Sequence, residues 1–94
     1  MVEKSKEYYT YILECSDSTF YTGMTLSIQK RLRQHNGQIS GGARYTFGRR
    51  PVLLKYIEKH SCFSDAAKRE KALKKLTRHK KIQIIKNYET NSSN

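Results

Sequence analysis

The chain has 94 residues, 36% of them hydrophobic and 11% aromatic, which is enough for one folded core and too short for two. Its 19 lysines and arginines oppose eight acidic residues, and the formal charge of +11 favours a polyanionic partner such as nucleic acid over a merely solvated basic surface. The sequence lacks an 18-residue apolar run, an apolar signal segment and zinc-type spacing of Cys15 and Cys62. We therefore expect a cytoplasmic protein with reduced thiols and no membrane contact.

The start of the chain predicts a β-hairpin. Residues 8–15 (YYTYILEC) are aromatic and β-branched, and residues 19–24 (TFYTGM) are typical of a returning strand. The turn residues SDS (16–18) lie between them. If these three form the whole loop, Tyr11 and Tyr21 lie on one face of the sheet, whereas a loop of even length places them on opposite faces.

The middle of the chain predicts a helix, a loop and a third strand. Ser27 can cap a helix that runs to about residue 36, where Gly37 provides a stop signal. Residues 37–51 hold four of the five glycines and the only proline, so we expect mostly loop with room for one helical turn. Residues 52–60 (VLLKYIEKH) predict the third strand.

Two helices are predicted in the last third of the chain. Ser64 is expected to cap a helix over about residues 65–75, and Thr77 a helix over about residues 78–88. The predicted architecture is an α+β domain over residues 8–88, with a small three-stranded antiparallel sheet flanked by helices in the order ββα, loop, β, αα. The predicted flanking segments are a flexible N-terminus (1–7) and a disordered polar tail (89–94).

Two polar residues lie on or beside the apolar stripe of the first helix. With Ile28 at zero and about 100° per residue, Leu32 falls at about +40°, His35 at about −20° and Arg31 at about −60°. An arginine and a histidine one turn apart, after a Tyr-x-Gly strand end, indicate a functional site. The alternative is a structural core histidine, with its hydrogen bonds made inside the protein, beside an arginine whose charged end reaches water.

An acidic residue occupies the core-facing side of the following helix. With Ala66 at zero, Glu70 falls at about +40° and Leu73 at about −20°. A buried carboxylate is unfavourable unless a cation compensates it. Two cations could compensate Glu70. One is Arg31 in an internal ion pair, and the other is a divalent cation held by one carboxylate, water and substrate phosphate.

Tyrosines and arginines supply further candidates. Tyr21 precedes Thr-Gly, where glycine allows a close approach, and its phenol can act as a base at neutral pH only beside positive charge or metal-bound water. The segment 41–51 combines glycines with three arginines and two aromatic residues. This composition is typical of flexible contacts with nucleic acid, and the alternative is a solvated basic loop.

In this order and spacing, the segments resemble the GIY-YIG nuclease domain, which is also found in homing endonucleases and in the bacterial excision-repair nuclease. YTY (9–11) resembles the first motif segment and YTG (21–23) the second. Arg31 follows at the spacing of the family's arginine, and Glu70 lies where the family carries its metal-binding glutamate. The resemblance covers about residues 7–86 and is strongest to the small stand-alone members.

The resemblance implies a metal-dependent endonuclease that hydrolyses phosphodiester bonds in DNA or structured nucleic acid. It implies that Tyr21 is the general base or positions the water, with Tyr11 as an assisting hydroxyl. Arg31 would stabilise the charged transition state, His35 would assist proton handling, and Glu70 would bind one Mg²⁺ or Mn²⁺. The residues expected to contact nucleic acid are Arg44, Tyr45, Arg49, Arg50, Lys74, Lys75 and Arg78.

Two departures from the family pattern leave a second function open. Tyr9 replaces the glycine of the first motif, and Met24 stands where some relatives carry a lysine. Both favour the alternative of a non-catalytic nucleic-acid-binding adaptor on the same fold. A module that docks an acidic protein is a third alternative, and it leaves Glu70 and His35 unexplained. We expect a monomer whose main partner is DNA. An accessory protein that supplies specificity is a further expected partner.

Overall fold

The computed structural model describes residues 6–92 and shows a three-stranded antiparallel sheet with helices on both faces. The strands are β1 (Tyr8–Glu14), β2 (Phe20–Thr25) and β3 (Leu53–His60). The helices are α1 (Ile28–His35), α2 (Arg44–Phe47), α3 (Phe63–Lys74) and α4 (Arg78–Ser92). Strand β1 lies between β2 and β3. The predicted α+β class and element order are confirmed, and within residues 6–92 no helix has the length and apolarity needed to cross a membrane.

The hairpin loop contains three residues, as one of the two predicted alternatives required. The backbone N–H of Cys15 donates to the carbonyl of Thr19 at 2.8 Å, and Ser18 has a positive φ of 69°. This register pairs Tyr11 with Gly23 and Leu13 with Tyr21. The side chains of Tyr11 and Tyr21 therefore share one face of the sheet.

The two faces of the sheet carry separate apolar clusters. On one face, Tyr11, Leu13, Cys15 and Val52 are buried, and α1 packs against them through Ile28 and Leu32. On the other face, β1 contributes Ile12, which packs with side chains from α3 and α4. Both faces of the central strand are thus covered, and its odd-numbered residues point toward α1.

The predicted caps hold at two helices. The Ser27 hydroxyl accepts from the backbone N–H of Lys30 at 3.4 Å, which confirms the cap of α1, and the Thr77 hydroxyl accepts from the N–H of Lys80 at 3.2 Å. Gly37 follows α1 with a φ of +77°, as its role as a stop signal requires. The single turn in the glycine-rich segment is α2.

Two helix boundaries differ from the prediction. Helix α3 begins at Phe63 rather than at residue 65, so Ser64 is not its cap; Cys62, in an extended conformation, precedes it. The Phe63 ring lies edge-on to the Tyr8 ring, with the ring centroids 5.8 Å apart, which is a tertiary contact at this first turn. Helix α4 continues through residues 89–92 of the predicted polar tail. Residues 93–94 of that tail, and residues 1–5 of the predicted flexible N-terminus, lie outside the described residues.

Gly23 provides the space in which the Tyr11 side chain crosses β2. A Cβ atom at Gly23 would lie 2.4 Å from the Tyr11 hydroxyl oxygen and 2.6 Å from the ring carbon that bears it. Tyr11 is 1% exposed, so its ring has little room to move away. The glycine of the YTG segment therefore sets the position of the Tyr11 hydroxyl.

We predict that Gly23→Ala lowers the free energy of unfolding by about 1–3 kcal/mol, because the added methyl group overpacks the region beside Tyr11. Gly48→Ala is the matched control, since a Cβ there meets nothing within 4 Å and the backbone φ is −93°. Urea denaturation should place the control within about 0.5 kcal/mol of the wild type. Equal effects of the two substitutions would contradict this role of Gly23.

Candidate active site

A row of hydrogen-bonded polar side chains lies in the core beneath α1. The hydroxyl of Tyr11 is 2.8 Å from His35 Nε2, and His35 Nδ1 is 2.9 Å from the Thr46 hydroxyl. His35 and Thr46 are 0% exposed. Strand β1, the last turn of α1 and helix α2 each contribute one of these three residues. The predicted placement of His35 on the buried stripe of α1 is confirmed.

The Tyr11 hydroxyl keeps its proton in this environment. Burial raises the pKa of Tyr11 to about 12, against a lowering effect of the hydrogen bond and charge of Arg31. The charges of Tyr21 and Glu70 add smaller raising effects. Three side chains from different parts of the chain therefore act on one hydroxyl group.

His35 is neutral near pH 7. Burial, together with the smaller effects of the positive charges of Arg31 and Arg50, lowers the pKa of its imidazole to about 4. One ring nitrogen is consequently unprotonated and can accept a hydrogen bond. At neutral pH, His35 can orient the Tyr11 hydroxyl without itself carrying a charge.

Tyr21 lies over the same row and is partly exposed. Its ring centroid is 5.0 Å from that of His35, 6.5 Å from that of Tyr11 and 5.8 Å from that of Tyr45. Tyr21 is thus the candidate phenol with access to solvent, while Tyr11 is enclosed. The structure brings both predicted tyrosines to one place.

Arg31 is held by the glycine-rich loop. Its guanidinium donates to the side chain of Gln34 at 2.9 Å and to the carbonyl of Gly41 at 2.6 Å. The loop can lie this close to α1 because Gly42 has no side chain. A Cβ atom on Gly42 would lie 2.4 Å from the Gln34 carbonyl oxygen. These contacts position a partly exposed arginine beside Tyr11.

Glu70 has the partly buried position that its helical phase predicted. Its side chain is 25% exposed and lies 3.8 Å from the Lys74 ammonium, and its charge acts on Tyr11. Among the described residues Arg31 and Glu70 form no ion pair, so the internal-pair alternative fails. The carboxylate also lines an open groove, whose other residues are Ala67, Lys68, Lys71 and Lys74.

The donors at this position suit a hard divalent cation. Glu70 offers carboxylate oxygens, and within residues 6–92 no set of three or more His, Cys, Asp or Glu side chains is arranged to hold a metal. Mg²⁺ takes one or two carboxylates and completes its shell with water and phosphate oxygens, which fits a single glutamate beside an open groove. A structural zinc site needs four such protein ligands and does not fit.

Three of the arginines predicted to contact nucleic acid have partners within the fold. Arg49 pairs with Asp17 at 3.0 Å, and Arg50 donates to the carbonyl of His35 at 2.7 Å. Arg78 donates to the carbonyl of Ser18 and lies over the Phe20 ring. These arginines anchor loops and the end of α1, whatever they contact in a complex.

The other predicted nucleic-acid residues are exposed and fall in two regions. Arg44 and Tyr45 lie on α2, where the Arg49 guanidinium is 4.1 Å from the centre of the Tyr45 ring. Lys74 and Lys75 lie at the end of α3. The first region adjoins Tyr21 and the second adjoins Glu70.

Sequence reasoning did not identify Thr46 or Gln34. Thr46 closes the buried row at His35, and Gln34 accepts from Arg31. Gln34 could have been found from its spacing, three residues after Arg31 on one helix. Thr46 lies in a glycine-rich loop, where no periodicity marks a residue as buried.

This chain belongs to the GIY-YIG family, since the family model described as the GIY-YIG catalytic domain matches residues 7–83. That domain implies nuclease-like activity. Within the family, the chain is similar to UPF0213 proteins. It is 52% identical to one from Syntrophus aciditrophicus, over 83% of this chain and 88% of the relative. It is 47% identical to one from Clostridium perfringens, over 82% of this chain and 81% of the relative.

Solved structures of relatives show the same fold. A solution structure of an Enterococcus faecalis protein is 40% identical, with a TM-score of 0.61 over 95% of this chain and 93% of that one. The UPF0213 protein of Bacillus halodurans is 37% identical, with a TM-score of 0.55 over 85% of this chain and 83% of that one. The predicted family and its small single-domain type are confirmed.

The neutral state of His35 predicts a pH dependence of stability. The unfolded histidine titrates at about pH 6.5 and the folded one at about 4, so the unfolded chain binds an extra proton between these values. The free energy of unfolding should fall by about 2 kcal/mol when the pH is lowered from 7 to 5, and stay level above 7. Urea denaturation of His35→Gln should lack this decrease. A wild-type decrease retained in the variant would contradict the assignment.

Proposed function

We propose that the chain is a divalent-metal-dependent endonuclease that hydrolyses phosphodiester bonds in DNA or structured nucleic acid. One observation carries the proposal: Arg31, His35 and Glu70 all act on the Tyr11 hydroxyl, and Tyr21 lies beside it. Membership of a nuclease-like family supports the reaction class. The +11 charge supports a polyanionic substrate.

In this proposal Tyr21 acts on the attacking water, because it is the phenol that solvent reaches. It positions the water in line with the scissile bond and takes its proton when a nearby positive charge stabilises the phenolate. Arg31 donates to the non-bridging oxygens of the phosphoryl group as their charge grows. Its contacts with Gln34 and Gly41 hold the guanidinium in place before the substrate arrives.

Tyr11 and His35 form the fixed side of the site. A hydroxyl with a pKa of about 12 and an imidazole with a pKa of about 4 remain neutral throughout the neutral range. Tyr11 can therefore accept a hydrogen bond from the attacking water without a change of charge. His35 was expected to assist proton handling, and we assign it the role of orienting the Tyr11 hydroxyl.

Glu70 is the residue that would hold one Mg²⁺ or Mn²⁺. A bound cation supplies charge stabilisation for the phosphoryl group and lowers the pKa of bound water. Glu70 contributes its carboxylate oxygens, and the lysines that share its groove, Lys68, Lys71 and Lys74, attract the neighbouring phosphates. Arg44 and Lys75 are exposed and extend the proposed contact surface.

A non-catalytic adaptor on the same fold is the second candidate. Met24 follows Gly23 at a position where some relatives carry a lysine, and this removes one activating charge from the site. The adaptor would bind nucleic acid through the same basic surface and leave the substrate intact. We include a cytoplasmic location, a monomeric state and an accessory protein that supplies specificity in the proposal; the free thiols of Cys15 and Cys62 support the location.

We predict that a panel of labelled single-stranded, duplex and branched DNA is cleaved in the presence of Mg²⁺ or Mn²⁺. Glu70→Gln should lower the rate by about 100-fold or more, because it removes the metal ligand while it preserves shape. Asp65→Asn is the matched control, since it neutralises an exposed acid in the first turn of the same helix. Its rate should stay within about threefold of the wild type.

The panel also separates the two candidate functions. DNA that is bound yet intact under every metal condition would contradict the endonuclease and favour the adaptor. Cleavage that survives Glu70→Gln unchanged would contradict the assigned metal position. Failure to retain any nucleic acid at low salt would contradict both candidates and favour a module that docks an acidic protein.

We predict that DNA binding weakens steeply with salt, and that Arg44→Gln reduces the slope of log affinity against log salt by about one. Arg44 is exposed, so the free energy of unfolding should stay within about 0.5 kcal/mol of the wild type. Arg49→Gln is the paired variant, and it should also lower stability because Arg49 binds Asp17 and the Tyr45 carbonyl. If the slope of log affinity against log salt is unchanged in both variants, the loop that carries Arg44 and Arg49 does not contact the nucleic acid.

A further inference from the structure

The Thr46 hydroxyl has two hydrogen-bonding neighbours and one proton. It lies 3.0 Å from the carbonyl oxygen of Ala43 and 2.9 Å from His35 Nδ1. A carbonyl oxygen can only accept, so the Thr46 proton goes to Ala43. The remaining lone pair of the hydroxyl must then accept from His35, which places a hydrogen on Nδ1.

The other end of the row is consistent with this result. Arg31, whose guanidinium can only donate, lies near the Tyr11 hydroxyl and opposes the rise in its pKa. The proton of Tyr11 therefore needs an acceptor, and His35 Nε2 lies 2.8 Å away. An acceptor nitrogen at Nε2 means that the hydrogen of the neutral ring is on Nδ1.

We propose that Thr46 is a positioning residue that fixes His35 in the form protonated at Nδ1, so that Tyr11 donates to His35 and turns its lone pairs toward Arg31 and the substrate side. The chain of donors runs in one direction, from Tyr11 through His35 and Thr46 to the Ala43 carbonyl. The effect of this arrangement on cleavage rests on the proposed function, whereas the protonated nitrogen of His35 does not.

The burial of the row gives Thr46 this control. Tyr11 is 1% exposed, and His35 and Thr46 are 0% exposed, so bulk water has no direct access to the ring nitrogens. A buried polar group without a partner is unfavourable, and in the form protonated at Nε2 the lone pair of Nδ1 would face a Thr46 hydroxyl whose proton already goes to Ala43. Removal of the Thr46 hydroxyl would instead leave a hydrogen on Nδ1 without an acceptor.

The direct test is to observe the three histidine side chains by ¹H–¹⁵N NMR at neutral pH. The His35 signals are assigned from their loss in His35→Gln. We expect the wild type to show hydrogen on Nδ1 and an unprotonated Nε2. Hydrogen on Nε2 in the wild type would overturn the proposal, and this result requires no variant of Thr46 to fold.

Three variants identify the residue that sets the protonated nitrogen. Thr46→Ser keeps the hydroxyl and should retain the wild-type signals, whereas Thr46→Val keeps the shape and should no longer show the Nδ1 form alone. Tyr11→Phe removes the other partner and should still show hydrogen on Nδ1. Wild-type signals in Thr46→Val, or loss of the Nδ1 form in Tyr11→Phe, would overturn the role of Thr46.

Cleavage assays then connect the row to activity. Thr46→Val should lower the rate by about 10- to 100-fold, as is usual when a residue that orients another is lost, and Thr46→Ser should restore it to within about threefold. A Thr46→Val enzyme that shows altered His35 signals and wild-type cleavage would overturn the positioning role. Absence of cleavage in the wild type would contradict the proposed function, while the NMR result would still decide which nitrogen carries the hydrogen.

Discussion

The hydrogen bond between Tyr11 and His35 is the constraint on which the rest of the site depends. It joins a hydroxyl and an imidazole in the core, where an unpaired polar group would be unfavourable. To make it, β2 needs Gly23 beneath the Tyr11 ring, and α1 must present the side of its last turn that bears His35. The glycine-rich loop must return over α1 to bring Thr46 to the second ring nitrogen.

The same arrangement separates a closed side of the site from an open side. Tyr11, His35 and Thr46 are enclosed and neutral, whereas Tyr21, Arg31 and Glu70 are partly exposed. A rigid neutral row beside charged groups limits reorganisation when negative charge develops on a bound phosphate. In our account the enclosed residues supply orientation, and the exposed residues supply charge and contact with the substrate.

Features set by local spacing could be predicted from the sequence. The helical period placed His35 and Glu70 on faces directed at the core, and the caps at Ser27 and Thr77 depend on residues three positions away. The predicted start of α3 was wrong by two residues, and at the observed start Phe63 contacts Tyr8, about 55 residues earlier. That contact is tertiary and has no local signal.

The loop residues mark the limit of sequence reasoning. The arginines of the loop predict attraction to phosphate. Their partners inside the fold, Asp17 for Arg49 and the His35 carbonyl for Arg50, depend on how distant parts of the chain come together. Thr46 was not predicted because its hydrogen-bond partner, His35, lies on another element. Resemblance to a family identified the motif residues, while the side chains that support them required coordinates.

The most direct measurement of the central claim is the binding of paramagnetic Mn²⁺ followed by NMR, with a nuclease-resistant phosphorothioate oligonucleotide present. The account predicts that resonances of Tyr11, Tyr21 and the Glu70 turn of α3 broaden first, because the ion and the phosphate meet at this single place. It also predicts that Glu70→Gln abolishes this broadening. Broadening that is spread over the basic surface, or that is identical in wild type and Glu70→Gln, would contradict a metal-assisted site built on this glutamate.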